Sequence, residues 1–198
     1  MRIIGGKAGG RKIKAPRGRG TRPMRDLVRE AVFNSLGGKV VGARVLDLFA
    51  GSGSLGLEAL SRGAEKAVFV DSSPEAVKVI RENLENHGFV GKGEVSRSEV
   101  ISYLRRNAGK TQPFGLIFVD PPYKMDLESR GEILKELEKG GYLAPGALIV
   151  MQTPREIDIS TVGGDLRHVR RKRYGESVVD VLQFCPTLEE HESGQEPE

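Results

Sequence analysis

The sequence predicts an α/β protein: a mostly parallel sheet with helices on both faces. Three observations predict it. Short apolar runs alternate with amphipathic stretches at the spacing of one strand and one helix. A glycine-rich string, Gly51-Ser52-Gly53-Ser54-Leu55-Gly56, directly follows one such run. Near the end, two strand-like runs flank Gly175-Glu176, as in an antiparallel hairpin.

Taken in order, Pro23–Leu36 reads as a helix, with Pro23 in its first turn and a stripe of Leu27, Val28, Ala31, Val32, Ser35 and Leu36. Gly37 and Gly38 end it. Arg44–Phe49 is a short apolar strand, and Ser54–Arg62 a helix stopped by Gly63. Ala67–Asp71 is the next strand. Ser73 is an N-cap with Pro74 at the first helical position, opening a helix to about Asn86 that Gly88 closes. Glu94–Ser96 is a weak strand and Glu99–Asn107 a helix; Gly115–Asp120 is a strong apolar strand, Leu127–Gly140 a helix and Ala147–Gln152 a strand. Arg167–Tyr174 and Ser177–Phe184 form the hairpin.

The 198 residues fit one domain, and a hydrophobic share of 38% is enough for a core, which excludes wholesale disorder. The 26 glycines follow no triplet period, so a collagen-like chain is excluded. Cys185 is the sole cysteine and can form no internal disulfide or thiolate cluster. His87, His168 and His191 show no ligand spacing, and no metal site is expected. No apolar run approaches the ~20 residues of a membrane span, and Met1–Arg11 lacks the apolar stretch of a signal peptide. The expectation is a cytoplasmic protein without membrane contact, and a monomer.

Charge is segregated. Residues 1–30 carry ten basic side chains against Asp26 and Glu30, a net +8 within a chain whose total is +4. A second cluster is Arg167, Arg170, Arg171, Lys172 and Arg173, whereas Thr187–Glu198 holds five glutamates and no Lys or Arg. The expected organisation is a basic arm with its helix over 1–40, a sheet domain over 41–185, and an acidic, disordered tail over 186–198. A basic segment rich in glycine suits a polyanion, because each phosphate neutralised releases counterions. Arg22, Arg25 and Arg29 lie at helical spacing and are expected to make one face of the first helix basic.

Ligands of such sheets bind outside the carboxyl ends of the strands, and the informative residues fall there. In Val45-Leu46-Asp47-Leu48-Phe49-Ala50, followed by the glycine string, Gly51 and Gly53 admit a ligand to the backbone and Gly56 lets helix and strand pack. Asp71, closing the next strand, can accept from both hydroxyls of a ribose. Asp47 would repel a pyrophosphate but attract a cation. That favours S-adenosylmethionine, which has a sulfonium and no phosphate, over a dinucleotide; a purely structural turn capped by Asp47 is the plainer alternative. The next adenosine contact falls near Ser98 and Glu99.

Asp120-Pro121-Pro122-Tyr123 carries the chemistry. An exocyclic amine of a base has its lone pair delocalised into the ring. The Asp120 carboxylate and the Pro121 carbonyl can each accept one of its N–H groups, favouring a pyramidal, nucleophilic nitrogen. Tyr123 can stack on the base.

Together these motifs resemble the RsmD-type small-subunit ribosomal RNA methyltransferases. The likeness covers about residues 1–185. It rests on Met1-Arg2-Ile3-Ile4-Gly5-Gly6-Lys7 with Gly10-Arg11-Lys12, on Arg22-Pro23 with Asp26 and Val28–Asn34, on Asp47–Gly63, and on Phe118–Tyr123. The resemblance implies a seven-stranded class I S-adenosylmethionine-dependent methyltransferase fold, Rossmann-like. It implies methyl transfer to the 2-amino group of a guanine in 16S rRNA, within a small ribosomal subunit particle. The implied cofactor residues are Asp47, Phe49, Ala50, Gly51, Ser52, Gly53, Gly56, Asp71, Ser72, Ser98 and Glu99. The residues expected at substrate RNA are Arg2, Lys7, Arg11, Lys12 and Lys14, from the charge of the arm, with Arg22, Pro23, Arg25, Arg29 and Asn34, whose block the resemblance implies helps build the substrate side of the pocket. The chain departs from the pattern where Met24 and Arg25 replace threonines and where Ser98 replaces an acidic residue. The alternatives are a DNA adenine or cytosine amino-methyltransferase, for which the length leaves little room for a recognition domain, and a non-catalytic RNA-binding assembly factor.

Overall fold

The structure, a computed structural model, describes residues 1–16, 26–159 and 164–187. Seven strands form one sheet: β1 Arg44–Leu48, β2 Lys66–Asp71, β3 Gly93–Arg97, β4 Phe114–Val119, β5 Leu143–Pro154, β6 Leu166–Tyr174 and β7 Ser177–Phe184, in spatial order β3-β2-β1-β4-β5-β7-β6. Only β7 runs against its neighbours, so the sheet is mostly parallel with the expected C-terminal hairpin. Each parallel crossover is a helix: α2 Ser54–Ser61, α3 Pro74–His87, α4 Val100–Asn107 and α5 Leu127–Lys139, while α1 Asp26–Leu36 precedes β1.

The helices divide between the faces. Side chains of α1, α2 and α3 share one apolar cluster with Val45, Phe69 and Phe118 of the sheet. Those of α4 and α5 share another with Leu46, Ile117 and Ile149. β1, at the centre, is buried from Val45 to Leu48, as a strand covered on both faces must be. Capping follows the sequence closely at α3: Ser73 accepts the Ala76 N–H, Pro74 opens the helix, and Gly88 ends it at φ +72°. Gly56 is where α2 crosses β2. A Cβ there would stand 2.3 Å from the Phe69 ring, so no larger residue fits without displacing that ring.

Three expectations need correction. Leu27, expected on the buried stripe of the first helix, is 79% exposed; Val28, Val32, Phe33 and Leu36 carry the contact instead. The strand expected over Ala147–Gln152 extends over Leu143–Pro154, because its start pairs with Phe114 across a register shift between Leu143 and Leu148. Phe49, expected inside the first strand, lies beyond it at φ +61°, where the chain turns off the sheet.

The basic segment is, over residues 1–16, a strap rather than a free arm. Ile3, Ala8 and Ile13 are buried in the cluster shared with α1–α3, and Arg2 bridges Lys12 antiparallel. Its anchor is Glu58 on α2. That fully buried carboxylate accepts the N–H groups of Ile4 at 2.6 Å and Gly5 at 2.9 Å and pairs with Arg62 at 2.7 Å and Arg29 at 3.7 Å. The Asn83 side chain adds a second anchor, accepting the Lys14 N–H and donating to the Lys14 carbonyl, both at 3.0 Å.

Arg29 therefore requires a correction as well. Its guanidinium is 0% exposed, bonded to the Arg2 carbonyl and to Asp26 beside Glu58, and it cannot meet RNA on a basic helix face. Removing the shared anchor by Glu58→Ala leaves two arginines facing a cavity. We expect a loss of about 3–5 kcal/mol in denaturant unfolding and faster proteolysis within 7–14. Unchanged stability with native cleavage rates would show that the strap holds without the Glu58 carboxylate.

Candidate functional site at the carboxyl ends of β1, β2 and β4

Parallel pairing brings three strand exits to one level. Leu48 of β1 stands opposite Val70 of β2 on one side and Val119 of β4 on the other. The Phe49–Gly53 loop, Asp71 and Asp120 are therefore immediate neighbours. The loop turns tightly. Gly53 donates to the Ala50 carbonyl at 2.7 Å, Ala50 donates to the Val70 carbonyl at 3.1 Å, and Gly51 and Gly53 hold φ of +57° and +76°. Phe49 adopts a left-handed conformation without glycine's freedom, a strain of about 1–2 kcal/mol.

Backbone amides hold the acidic side chains. Asp71 accepts the Gly51 N–H on one oxygen and the Ser73 N–H on the other, both at 2.8 Å, and so links the loop to the start of α3. Asp47 accepts the Gly56 N–H at 2.9 Å and is buried. Burial pushes the Asp47 carboxyl well above the ordinary carboxylate range. The Gly56 N–H opposes that shift, and the charges of Asp120 and Asp71 reinforce it. Ser52 is buried and its carbonyl accepts from Asn83 at 3.0 Å, so the side chain that grips the strap also grips the loop. Ser98 donates its N–H to the Asp71 carbonyl at 3.1 Å and its hydroxyl to the Glu99 carbonyl at 3.0 Å. Ser72 is half-buried and Glu99 exposed, at the N-cap of α4.

After β4, Asp120 is half-buried, Pro121 buried and Pro122 exposed, and Tyr123 stands 61% exposed at the rim. The turn closes through the Pro122 carbonyl, which accepts the Met125 N–H at 2.9 Å, and not through that of Pro121. Sequence reasoning missed the residue beneath it. Arg130 of α5 is fully buried and donates to the Met125 carbonyl at 3.2 Å and the Gln152 carbonyl at 2.8 Å. Burial pushes its guanidinium below its ordinary value, while Asp120 and Asp126 hold it up. The available signal was its place on the stripe Arg130, Ile133, Leu134, Leu137, which points inward.

A cationic cofactor with a ribose fits this arrangement. A Cβ at Gly51 would meet nothing nearer than the Phe49 carbonyl at 3.9 Å, so the outer side of the loop is open to a ligand. Asp71 and Asp120 lie close enough to Asp47 for their charges to hold its proton on, and a group of carboxyls so placed disfavours a pyrophosphate and favours a positive group.

Of the expected RNA contacts, Arg2, Lys7, Arg11, Lys12, Lys14 and Asn34 are exposed. Lys14 pairs with Glu82 at 3.0 Å, and Lys7 lies over the Phe89 ring. Arg22, Pro23 and Arg25 lie outside the described residues. Among the described residues no helix is long and apolar enough to cross a membrane.

Comparison with known proteins bears on this geometry. A family model described as "Conserved hypothetical protein 95" matches residues 1–183. The "Ribosomal RNA small subunit methyltransferase D" of Escherichia coli strain K12 is 39% identical over 183 residues, covering 92% of this chain and 89% of its own. The Bacillus subtilis protein named "Putative rRNA methyltransferase YlbH" is 38% identical over 175 residues, covering 88% and 94%. A solved structure described as "Putative methyltransferase yhhF from Escherichia coli" superposes with a TM-score of 0.82 at 37% identity, covering 94% of this chain and 99% of that one.

The raised Asp47 pKa has a consequence for stability. The folded state binds this proton more tightly than the unfolded chain does. The stabilisation is complete below the ordinary value of 3.8 and is lost as pH rises toward the raised folded value. Asp47→Asn keeps an acceptor for Gly56 and abolishes the titration. Unfolding measured between pH 4 and about pH 8 is expected to show the wild type falling progressively behind the variant. A difference independent of pH would place the effect elsewhere.

Proposed function

The chain belongs to the Conserved hypothetical protein 95 family, that of the RsmD ribosomal RNA small-subunit methyltransferases, and from that membership we propose that it methylates the 2-amino group of a guanine in 16S rRNA, presented in a small-subunit particle. The donor is S-adenosylmethionine, and the enzyme acts as a cytoplasmic monomer. The observation that carries the reading is the register Leu48↔Val119, which sets the glycine loop directly beside Asp120-Pro121-Pro122-Tyr123.

Gly51 and Gly53 would admit the cofactor to the loop backbone, Asp71 would accept its ribose hydroxyls, and Ser98 and Glu99 would hold its adenine side. S-adenosylmethionine supplies an electrophilic methyl on a sulfonium, with a neutral thioether as leaving group. Tyr123 stacks on the guanine once it has left its own stack, an unstacking that costs about a few kcal/mol. Asp120 accepts one N–H of the amine and the Pro121 carbonyl accepts the other, so the lone pair localises on nitrogen and faces the methyl group. As nitrogen gains its new bond, its surplus proton becomes acidic, and Asp120 or water takes it. Positioning thus provides much of the acceleration. Arg130 maintains that positioning, because it ties the far side of the turn, at Met125, to β5.

The test is transfer of labelled methyl onto undermethylated small-subunit particles, followed by digestion to nucleosides. Label in 2-methylguanosine is expected; label in methylated adenine or cytosine would overturn the reading. Asp120→Ala is expected to abolish transfer while largely sparing cofactor affinity in calorimetry, and unchanged turnover would remove Asp120 from the chemistry. Arg130→Met, which keeps the bulk of the stem, is expected to lower kcat by about 100-fold with cofactor affinity retained, and Arg130→Lys by less. Equal kcat in all three proteins would show that the turn holds itself.

A further inference from the structure

The basic cluster near the C-terminus is not used by the site described above, and its placement is informative. β6 is one of the two edge strands of the sheet. Residues directly opposite one another in an antiparallel pair project to the same face. Arg167 stands opposite Gln183, Arg170 opposite Val181 and Lys172 opposite Val179, with a register shift between His168 and Arg170. Val179 and Val181 belong to the cluster shared with α1–α3. The bulge thus puts Arg167, Arg170 and Lys172 on that one face, all exposed, with Tyr174 next toward the hairpin turn.

The other face of β6 is treated differently. Arg171 stands opposite Asp180 and pairs with it at 3.3 Å and with Asp158 at 3.2 Å, while His168 bonds Asp180 at 2.8 Å. Carboxylates serve Arg171 and His168 there, while Arg173, opposite Val178 on that face, is exposed and has no ion pair among the described residues. On the first face, none of Arg167, Arg170 and Lys172 is ion-paired among the described residues. Cations also guard edge strands against pairing with another chain, but a guard does not require three unpaired cations on the face that the strap shares against one, Arg173, on the other.

The stripe leads to the site. Lys172 pairs through Val179 with Gln152. Gln152 follows Met151, which stands opposite Val119, the residue before Asp120. Lys172 is therefore level with Asp120, three strand spacings away, about 14 Å. The strap with Arg2, Lys12 and Lys14 packs against this same face of the sheet. We propose that Arg167, Arg170 and Lys172 form a second RNA-backbone contact, on which the phosphates flanking the target nucleotide lie as the strand leaves the Asp120 turn. This rests on the reading of RNA as substrate.

The experiment compares wild type, Arg170→Gln/Lys172→Gln and Arg170→Lys/Lys172→Arg on the RNA of undermethylated small-subunit particles. Affinity is measured against salt concentration, with nucleoside analysis of the product in parallel. Removing one cation from a phosphate lowers the slope of log affinity against log salt by about 1. The glutamine pair is expected to lower it by about 2, with kcat unchanged at saturating RNA, while the charge-preserving pair keeps the wild-type slope. An unchanged slope in the glutamine pair, or an equal fall in both pairs, would overturn the proposal. Self-association of the glutamine pair in sedimentation with a wild-type slope would overturn it in favour of an edge guard. If wild type gives 2-methylguanosine and the slope is unmoved, this inference falls alone. A wild type that labels another base sinks the substrate reading, while a slope lowered only in the glutamine pair still supports the basic face as a phosphate site.

Discussion

Parallel pairing of β1 with β2 on one side and β4 on the other is the constraint on which the site depends. Strands that run together end together, so Asp71 and Asp120 arrive at the same edge as the loop that follows Leu48. Bringing carboxylates together is unfavourable by itself. The fold answers with backbone amides: Gly56 donates to Asp47, and Gly51 and Ser73 donate to Asp71. These donors exist because the chain reverses tightly through Gly51 and Gly53 and because α3 starts immediately beyond Asp71. The result is a pocket negative enough for a cation, in which two of the acids are already held in place.

The strap extends the same logic to the outside of the site. Glu58 lies on α2, the helix that begins at the glycine loop, and Asn83 on α3, the helix that begins beyond Asp71. One holds Ile4 and Gly5, and the other holds Lys14 and the Ser52 carbonyl. The exposed cations of residues 2–14 are thereby mounted on the helices that follow the glycine loop and Asp71. A disordered basic arm would lose ordering entropy on meeting RNA; this part of it is ordered beforehand.

Much of the fold was legible because its signals are local. Ser73-Pro74 and Gly88 bound α3 as expected, Gly175-Glu176 turns the hairpin, and Gly56 makes the helix–strand contact its motif implies. The buried ionic residues were not legible. Pattern reading assigns arginine to solvent, yet Arg29 and Arg130 are both fully enclosed. Asp26 and Met125 are near partners, but the contacts that draw the two side chains inward are distant: Glu58 is 29 residues from Arg29, and the Gln152 carbonyl is 22 from Arg130. No window of sequence contains both halves of such a contact. Leu27 failed in the opposite direction, since a helical stripe identifies a face without saying how far toward the helix end a neighbour reaches.

Opposite charges at one edge of a sheet raise the question of mutual cancellation, and distance answers it. The Asp47, Asp71 and Asp120 group is enclosed among strand exits, whereas Lys172 is about 14 Å away across the sheet surface. At physiological ionic strength the Debye length is about 8 Å, so exposed cations at that range contribute little to the potential inside the pocket. A surface basic enough to attract a polyanion can therefore coexist with a pocket acidic enough for a sulfonium. The same screening sets a limit on the basic face. On the proposed reading it would act on phosphates that come into contact with it, and so on nucleotides adjacent to the target rather than on the base held at the Asp120 turn.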